Sequence, residues 1–145
     1  MDEDARRGRD GERAAAAFLR RRGWRVLALN WRGAGGELDL VAARGDVVAF
    51  CEVKTRADES ALVEPLTALQ RVRIVRAAAA YLSARPQLAG RAARFDLITV
   101  RAGRWRRTVR QLPGAFDPVA ELSLRSGGGR AGGEDPVHDG WLACA

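Results

Sequence analysis

The stretch GELDLVAARGDVVAFCEVKTR, residues 36–56, decides the fold. It contains two strand-like apolar runs, 37–43 and 46–54, joined at Arg44-Gly45. A short glycine-containing link between two such runs predicts a β-hairpin. The second run is nearly continuous in apolar residues, as in a strand that is covered on both faces. We therefore expect further layers of structure on both sides of this strand.

The hairpin would bring its polar residues together. Side chains alternate between the faces of a strand, so Glu52 and Lys54 share one face, as do Glu37 and Asp39. With the two-residue link, Asp39 lies opposite Phe50 and Glu37 lies opposite Glu52. All four polar side chains then emerge on one face, with Asp39 and Glu52 as diagonal neighbours within roughly 7–8 Å. A three-residue link would split the carboxylates between the two faces.

Five further elements are predicted around this hairpin. They are a helix over 8–22, a strand over 24–30, a helix over about 64–84 that starts near Pro65, and strands over 94–100 and 104–111 that turn at Ala102-Gly103. The order α-β-β-β-α-β-β favours one α/β domain with a mixed sheet, over residues 1–117. Residues 118–145, with SGGGRAGGEDP, have the composition of a disordered tail.

The composition excludes several classes of protein. No apolar run approaches the ~20 residues that span a bilayer, and the N-terminus MDEDARRGRD does not resemble a secretory signal. We therefore expect a cytoplasmic protein. Two cysteines and one histidine, His138, cannot form a closed zinc site, and Ser-His or Cys-His catalysis has no credible base. An enzyme with this sequence would depend on carboxylates, lysine and a metal.

The charge favours a polyanionic partner. The chain has a net charge of +7, and residues 1–120 alone hold 23 basic and 14 acidic residues, a net +9. Such a domain suits nucleic acid first and an anionic membrane second. No basic amphipathic helix with bulky aromatic anchors is evident, which argues against the membrane. The alternative is an arginine-rich composition that only keeps the protein soluble.

The basic residues include one exception. Of 25 lysines and arginines, 24 are arginine, and the single lysine is Lys54. Lysine is a compact point charge whose pKa can shift, whereas arginine is a permanently charged fork. A site that needs an ammonium group near a reacting centre would keep its lysine, although one such residue can also arise by chance.

The acidic residues around Lys54 point to a metal. Several carboxylates on one sheet face repel each other and lose hydration when half-buried. A divalent cation such as Mg²⁺ or Mn²⁺ resolves this conflict, because it prefers oxygen ligands. The chemistry that follows is phosphodiester hydrolysis, with Lys54 stabilising the developing charge. The alternative is a salt bridge of Lys54 with Glu37 or Glu52 on a solvated face.

Several segments together form a recognisable pattern: 8–12, 30–32, 36–41 and 48–56, and then Arg73, 77–78, 81–82, 94–96 and 115–116. The succession GELDLV and FCEVKTR is the most specific of them. The pattern resembles the YraN family, a bacterial group of small endonuclease-like proteins in the PD-(D/E)XK nuclease superfamily, to which archaeal Holliday junction resolvases are similar.

This resemblance implies a restriction-endonuclease-like α/β fold, a mixed β-sheet flanked by helices, and a Mg²⁺ or Mn²⁺ site. It implies Asp39 and Glu52 as metal ligands and Lys54 as the catalytic lysine. Glu12 matches an acidic position that can complete the metal site, or it is a surface helix residue. Glu37 matches an accessory acid that reaches the metal or pairs with Lys54.

The resemblance also suggests residues that contact nucleic acid. These are Arg32, Arg56, Gln70 and Arg73. Gln70 is a departure, because the family usually carries lysine three residues before the position of Arg73. Outside these positions, a phosphate backbone could be followed by arginines 20, 21, 22, 25, 104, 106 and 107, while Trp24 or Trp105 among them stacks on a base. Their alternative is solvated helix ends and a charged edge strand, and we expect Trp24 and Trp105 to pack in the core.

Three functions stay open on the sequence alone. The first is a Mg²⁺- or Mn²⁺-dependent DNA endonuclease, with branched DNA of recombination or repair as a candidate substrate. The second is a nucleic-acid-binding protein on the same fold that cleaves weakly or not at all. The third is an interaction protein whose acidic face is incidental. Branched DNA would suit a homodimer, but no dimer face is readable in the sequence.

Overall fold

The computed structural model describes residues 2–58 and 64–118. The helices are α1 (Glu3–Arg21) and α2 (Ala68–Ser83), and the strands are β1 (Arg25–Gly33), β2 (Gly36–Arg44), β3 (Val47–Arg56), β4 (Ala92–Ala102) and β5 (Arg107–Leu112). This order confirms the predicted α-β-β-β-α-β-β arrangement. The predicted tail lies outside the described residues except for Pro118. Neither described helix is long and apolar enough to cross a membrane.

The strands form one mixed sheet in the order β1-β2-β3-β4-β5. The pairing is antiparallel except between β3 and β4, which run parallel. The chain between these two parallel strands contains α2, as a parallel connection requires. The central position of β3 explains its nearly continuous apolar sequence. The result is the expected α/β architecture, compatible with a restriction-endonuclease-like fold.

Each face of the sheet is covered by one helix. The face under α2 holds a cluster that includes Val48, Phe50 and Tyr81. The opposite face, under α1, holds Leu19 and Ile98, both fully buried. Burial on both faces supplies the main favourable free energy of the fold, because apolar area leaves water on both sides of the same strands. The site residues must therefore lie where this double cover ends.

The β2–β3 hairpin differs from the predicted register by two residues. The turn is Gly45-Asp46, and Val41 rather than Asp39 lies opposite Phe50. Gly45 has φ of 55°, which suits the first central position of a tight hairpin turn. The prediction placed this glycine second in the turn. Because a shift of two residues preserves the side-chain alternation, Asp39, Glu52 and Lys54 still meet. Glu37 does not follow this alternation, because Leu38 and Leu40 pack on opposite faces of the sheet.

Several element boundaries also differ from the prediction. Helix α1 begins at Glu3 rather than at residue 8, because Asp2 caps it by accepting a hydrogen bond from the Asp4 N–H. Helix α2 begins after Thr67 rather than near Pro65, because Thr67 and Gln70 form a reciprocal capping box there. The β4–β5 connection is the four residues 103–106, closed by a 2.9 Å hydrogen bond from the Gly103 N–H to the Arg106 carbonyl. The predicted turn at Ala102-Gly103 was wrong because Ala102 still pairs with Arg107.

A buried carboxylate joins the last strands to the segment that follows them. Asp96 on β4 has no exposed surface. It accepts two hydrogen bonds of 2.9 Å from Arg94, one of 2.8 Å from Gln111 on β5 and one of 3.0 Å from the Gly114 N–H. A fully buried charge is tolerated only with this degree of pairing. Asp96 therefore has a structural role.

Helix α1 approaches the end of β3 through a glycine. A Cβ atom on Gly11 would overlap Thr55 Oγ1 and lie 3.1 Å from Thr55 Cβ. The neighbouring residue on this helix, Glu12, carries one of the predicted site carboxylates. The missing side chain of Gly11 thus allows α1 to pass close to the site strand.

Two glycines of α1 give a matched test of this packing. We expect Gly11→Ala to destabilise the protein by about 1–3 kcal/mol, the usual range for overpacking. We expect Gly8→Ala to stabilise it by about 0.5–1 kcal/mol, since alanine is the better helix former and no atom lies within 4 Å of the new Cβ. Chemical denaturation measures both values, and equal effects of the two substitutions would contradict the close contact.

Candidate active site

Strands β2 and β3 separate at the site. Their pairing runs from Arg44–Val47 to Leu40–Cys51, whereas β3 stays paired with β4 as far as Arg56. Beyond Leu40, the Asp39 carboxylate accepts a 2.9 Å hydrogen bond from the Val53 N–H. The Asp39 side chain thus accepts a hydrogen bond from the β3 main chain just beyond the end of the β2–β3 pairing. This bond fixes Asp39 against β3 and opens a notch between the two strands.

Three side chains meet in this notch. The Asp39 and Glu52 carboxyls are in hydrogen-bonding contact. Lys54 Nζ lies 3.4 Å from Glu52 Oε1, and the Lys54 and Glu52 side chains are only 20% and 18% exposed. The structure therefore brings together the three residues predicted to be catalytic. Their contact is tighter than the predicted diagonal spacing because the register shift moves Asp39 level with Glu52.

The electrostatics of the carboxyls follow from burial. Burial, and then the charge of Asp39, raise the pKa of Glu52 to about 8, although the Lys54 ammonium opposes this shift. Burial also raises the pKa of Asp39, opposed chiefly by the hydrogen bond from Val53. Two touching carboxyls cannot both ionise cheaply without a compensating cation. The pair therefore retains a proton near neutral pH or needs positive charge beyond that of Lys54.

Glu12 reaches the rim of this site from α1. Its Oε2 accepts a 2.6 Å hydrogen bond from Asn30 Nδ2 on β1. Burial raises the pKa of Glu12, and the charges of Asp39 and Glu37 raise it further. Glu12 is thus part of the same electrostatic group and not an isolated surface residue.

Asn30 is a site residue to which the sequence reasoning assigned no role. The β1–β2 register places it opposite Asp39, between the pairs Leu29–Leu40 and Trp31–Leu38. Its φ of 52° lies in the left-handed region, which asparagine tolerates better than most residues. The available signal was an asparagine at the end of an apolar strand. Its conformation accompanies a change of side-chain direction, since Leu38 packs under α2 and Leu40 packs under α1.

Glu37 has a different partner from those considered. Its Oε2 lies 3.6 Å from Arg32 Nε, and the two side chains are 40% and 80% exposed. Lys54 pairs with Glu52 instead. An exposed pair of this kind contributes little stability, so Glu37 stays available at the rim.

The predicted metal ligands do not form a complete cluster. Among residues 2–58 and 64–118, no three side chains of Asp, Glu, His or Cys converge closely enough to hold an ion together. Asp39 and Glu52 are in contact, whereas Glu37 interacts with Asp39, and Glu12 with Asp39 and Glu37, through charge alone. Any cation here would have two inner carboxylates and would complete its shell with other oxygens.

The predicted nucleic-acid contacts are scattered around the notch. Arg56 ends β3, where its Nη1 donates a 2.9 Å hydrogen bond to the Thr55 carbonyl. Gln70 caps α2, since its Oε1 accepts a 2.8 Å hydrogen bond from the Thr67 N–H. Arg73 is exposed on α2, and its main-chain carbonyl packs against Gly36 at the start of β2. Gln70 is therefore engaged in the fold.

The two tryptophans have opposite environments. Trp24 is 4% exposed, as predicted for the core. Trp105 is 88% exposed, so the prediction of core packing for it was wrong. The physical reason is the four-residue loop 103–106, which places Trp105 at the tip of a hairpin instead of on a strand.

Comparison with known proteins places this site in a family. The profile of the uncharacterised protein family UPF0102 matches residues 11–100. A UPF0102 protein of Paramagnetospirillum magneticum is 50% identical over 115 residues, which cover 77% of this chain and 87% of the relative. The chain belongs to the UPF0102 family. A UPF0102 protein of Myxococcus xanthus is 48% identical over 115 residues, 76% of this chain and 88% of the relative.

Membership of UPF0102 confirms the predicted family, because YraN is another name for it. The matched range includes all three residues of the notch and Glu12. A UPF0102 protein of Chloroflexus aurantiacus is 48% identical over 101 residues, 68% of this chain and 83% of the relative. These names state a family and no activity, so the chemistry must be argued from the site.

The raised pKa of Glu52 predicts a pH-dependent stability. The folded state holds the Glu52 proton more tightly than the unfolded chain does. Ionisation of this carboxyl therefore does not lower the free energy of unfolding below its ordinary pKa of 4.5, and it lowers that free energy increasingly as the pH rises toward about 8. In metal-free buffer, the melting midpoint of wild type should therefore fall relative to Glu52→Gln as pH rises through this interval. Thermal melting measures the difference, with the exposed Glu64→Gln as a control that should follow wild type. A pH-independent difference would contradict the buried carboxyl pair.

Proposed function

We propose that this UPF0102 protein is a metal-dependent DNA endonuclease. The observation that carries the proposal is the contact of two half-buried carboxyls, Asp39 and Glu52, with the lysine Lys54 beside them. A carboxyl pair that cannot ionise cheaply is suited to a cation, and an adjacent ammonium is suited to an anionic substrate. Both needs are met by a phosphodiester.

The donor chemistry of the notch fits Mg²⁺ or Mn²⁺. Asp39 and Glu52 supply hard oxygen ligands, and Mg²⁺ commonly uses only one or two carboxylates and completes its shell with water and phosphate oxygens. Two inner carboxylates are therefore sufficient. When bound, such a cation lowers the pKa of water and polarises a phosphoryl oxygen.

The hydrogen bond to Val53 gives Asp39 a positioning advantage. One Asp39 oxygen is occupied by the Val53 N–H at 2.9 Å, which holds the carboxylate in one orientation. The carboxylate keeps further lone pairs for a ligand, since each oxygen can accept more than once. Asp39 is thus orientated by the main chain before any ligand binds.

Lys54 supports the chemistry through its charge. Glu52 holds the ammonium at 3.4 Å within the notch, at 20% exposure. In this position it can donate to a nonbridging phosphate oxygen or to the attacking water, and so stabilise charge that develops on phosphorus. A half-buried charge is worth more than an exposed one because the surrounding dielectric is lower.

Glu12 and Glu37 act at longer range. The charge of Glu37 raises the pKa of both Asp39 and Glu12, and the charge of Asp39 also raises the pKa of Glu12, so both residues add negative potential at the rim. Each can reach a bound cation through a water molecule. Arg32, which pairs with Glu37 at 80% side-chain exposure, can exchange this partner for a phosphate. The net positive charge of the chain would attract DNA from a distance.

A second candidate is a nucleic-acid-binding protein on the same fold with weak or no cleavage. It is favoured by the absence of a three-residue ligand cluster among the residues that the structure describes. The two proposals agree on the partner and differ only in turnover, so a cleavage assay separates them.

Substitutions in the notch test the endonuclease proposal. We expect Asp39→Asn, Glu52→Gln and Lys54→Ala each to reduce Mg²⁺- or Mn²⁺-dependent cleavage at least ~100-fold, the usual cost of removing one group that stabilises a transition state. Lys54→Arg should also lose activity, because the planar fork does not replace the compact ammonium. The assay uses linear, nicked and branched DNA, with and without a chelator.

The control is Asp46→Asn in the exposed turn at the other end of the β2–β3 hairpin, which should leave cleavage unchanged. If folded wild type cuts none of these substrates with either metal, the endonuclease proposal fails. Cleavage that survives Asp39→Asn would place the chemistry elsewhere.

A further inference from the structure

The face that carries Lys54 continues across β4 and β5 as a row of polar side chains. The parallel β3–β4 register pairs Lys54 with Thr99, and the β4–β5 register pairs Thr99 with Arg110. Paired residues point to the same side of a sheet, so these three side chains form one row. The row begins in the notch and ends on the edge strand.

A second row runs beside the first. Arg56 pairs with Arg101, and Arg101 pairs with Thr108. These residues stand two positions from those of the first row, so they share its face. The intervening residues Ile98 and Val100 are buried under α1 on the opposite face. The alternation of buried aliphatic with polar residues is thus the local reason for a charged face here.

The two rows enclose a groove. Thr99, Arg101, Thr108 and Arg110 line about 380 Å³ of it. Arginine and hydroxyl groups at this spacing are the groups that proteins commonly direct at phosphate oxygens. The groove therefore has the charge and donors to bind a phosphate backbone that leaves the notch.

The β4–β5 hairpin extends this groove and ends in Trp105. The ring is 88% exposed, and the Arg104 guanidinium lies 5.4 Å from its centre. Arg106 and Asp58 line the same cavity at the tip. The exposed indole offers a flat face on which a base can stack. Only an unpaired base offers its whole face, since bases inside a duplex are already stacked.

Simple geometry sets the distance between the tip and the notch. Ala102, where the hairpin loop begins, is three residues beyond Thr99, or about 10 Å at ~3.3 Å per strand residue. Stacked DNA advances ~3.4 Å per nucleotide along one strand. The start of the loop therefore lies about three stacked nucleotides from a phosphate bound beside Lys54, and Trp105 lies beyond it.

We propose that the groove and Trp105 bind an unpaired DNA strand that leaves the active site, so that the protein prefers DNA in which a duplex adjoins a single strand. This inference rests on the proposed function for the choice of DNA, but its test needs no cleavage. It assigns the phosphate contacts to Arg101 and Arg110 and the base contact to Trp105.

The test measures the affinity of the full chain for labelled oligonucleotides in chelator, by fluorescence anisotropy. The probes are a thymidine single strand, a blunt duplex, and the same duplex with an unpaired tail. Trp105→Ala should weaken binding of the single strand and the tailed duplex about 5- to 100-fold, the range for one lost stack. It should change binding of the blunt duplex less than about twofold, and Trp105→Phe should restore most of the loss.

Matched control variants distinguish a specific effect of Trp105 and the groove from a general effect of removing any exposed side chain. Leu69, 48% exposed on α2, provides the apolar control Leu69→Ala. Arg76, exposed on the same helix, provides the charge control Arg76→Ala. Arg101→Ala and Arg110→Ala should each reduce the salt slope of single-strand binding by about 0.7, and Arg76→Ala should not.

Two results would overturn the inference. One is an unchanged affinity for single strands in Trp105→Ala, or an equal loss for single strand and blunt duplex. The other is binding to phosphatidylserine vesicles, lost in Trp105→Ala, with no binding to any oligonucleotide. Tail-dependent binding without metal-dependent cleavage would support the inference and contradict the endonuclease proposal. Metal-dependent cleavage, with single-strand binding unchanged in Trp105→Ala, would support the endonuclease proposal and contradict the inference.

Discussion

The hydrogen bond from the Val53 N–H to the Asp39 carboxylate is the interaction on which the site depends. It forms where β2 leaves β3, and it satisfies a main-chain donor that has lost its strand partner. Because the acceptor is a side chain, the sheet opens without leaving this donor unpaired. The same bond turns Asp39 toward Glu52, so the end of a strand pair becomes a site.

The surrounding fold stabilises the strands around this opening and places charged side chains in it. Helices cover both faces of β3 up to the notch, and the apolar clusters beneath them stabilise the strands. Beyond them, two carboxyls and Lys54 lie together half-buried, and burial raises the pKa of both acids. The notch thus holds a charge conflict that a divalent cation would relieve.

The sequence predicted the element order and the shared face of Asp39, Glu52 and Lys54, because strand alternation tolerates a register shift of two residues. It could not predict the strand separation at Asp39, which depends on contacts between three strands and on the left-handed Asn30. It also placed Trp105 in the core, because periodicity could not distinguish a strand from a four-residue loop. The sequence thus predicted which three residues meet at the site but not the arrangement in which they meet.

We expect Asp39 and Glu52 to bind a divalent cation beside Lys54. Crystals soaked in Mn²⁺, with data collected at the manganese absorption edge, would locate the ion by its anomalous scattering without any assumption about activity. The expected result is a peak within ~2.0–2.4 Å of oxygens of both carboxylates, the range for hard cations of this size. The absence of a peak at the notch in saturating Mn²⁺, with the Lys54–Glu52 pair intact, would contradict the claim.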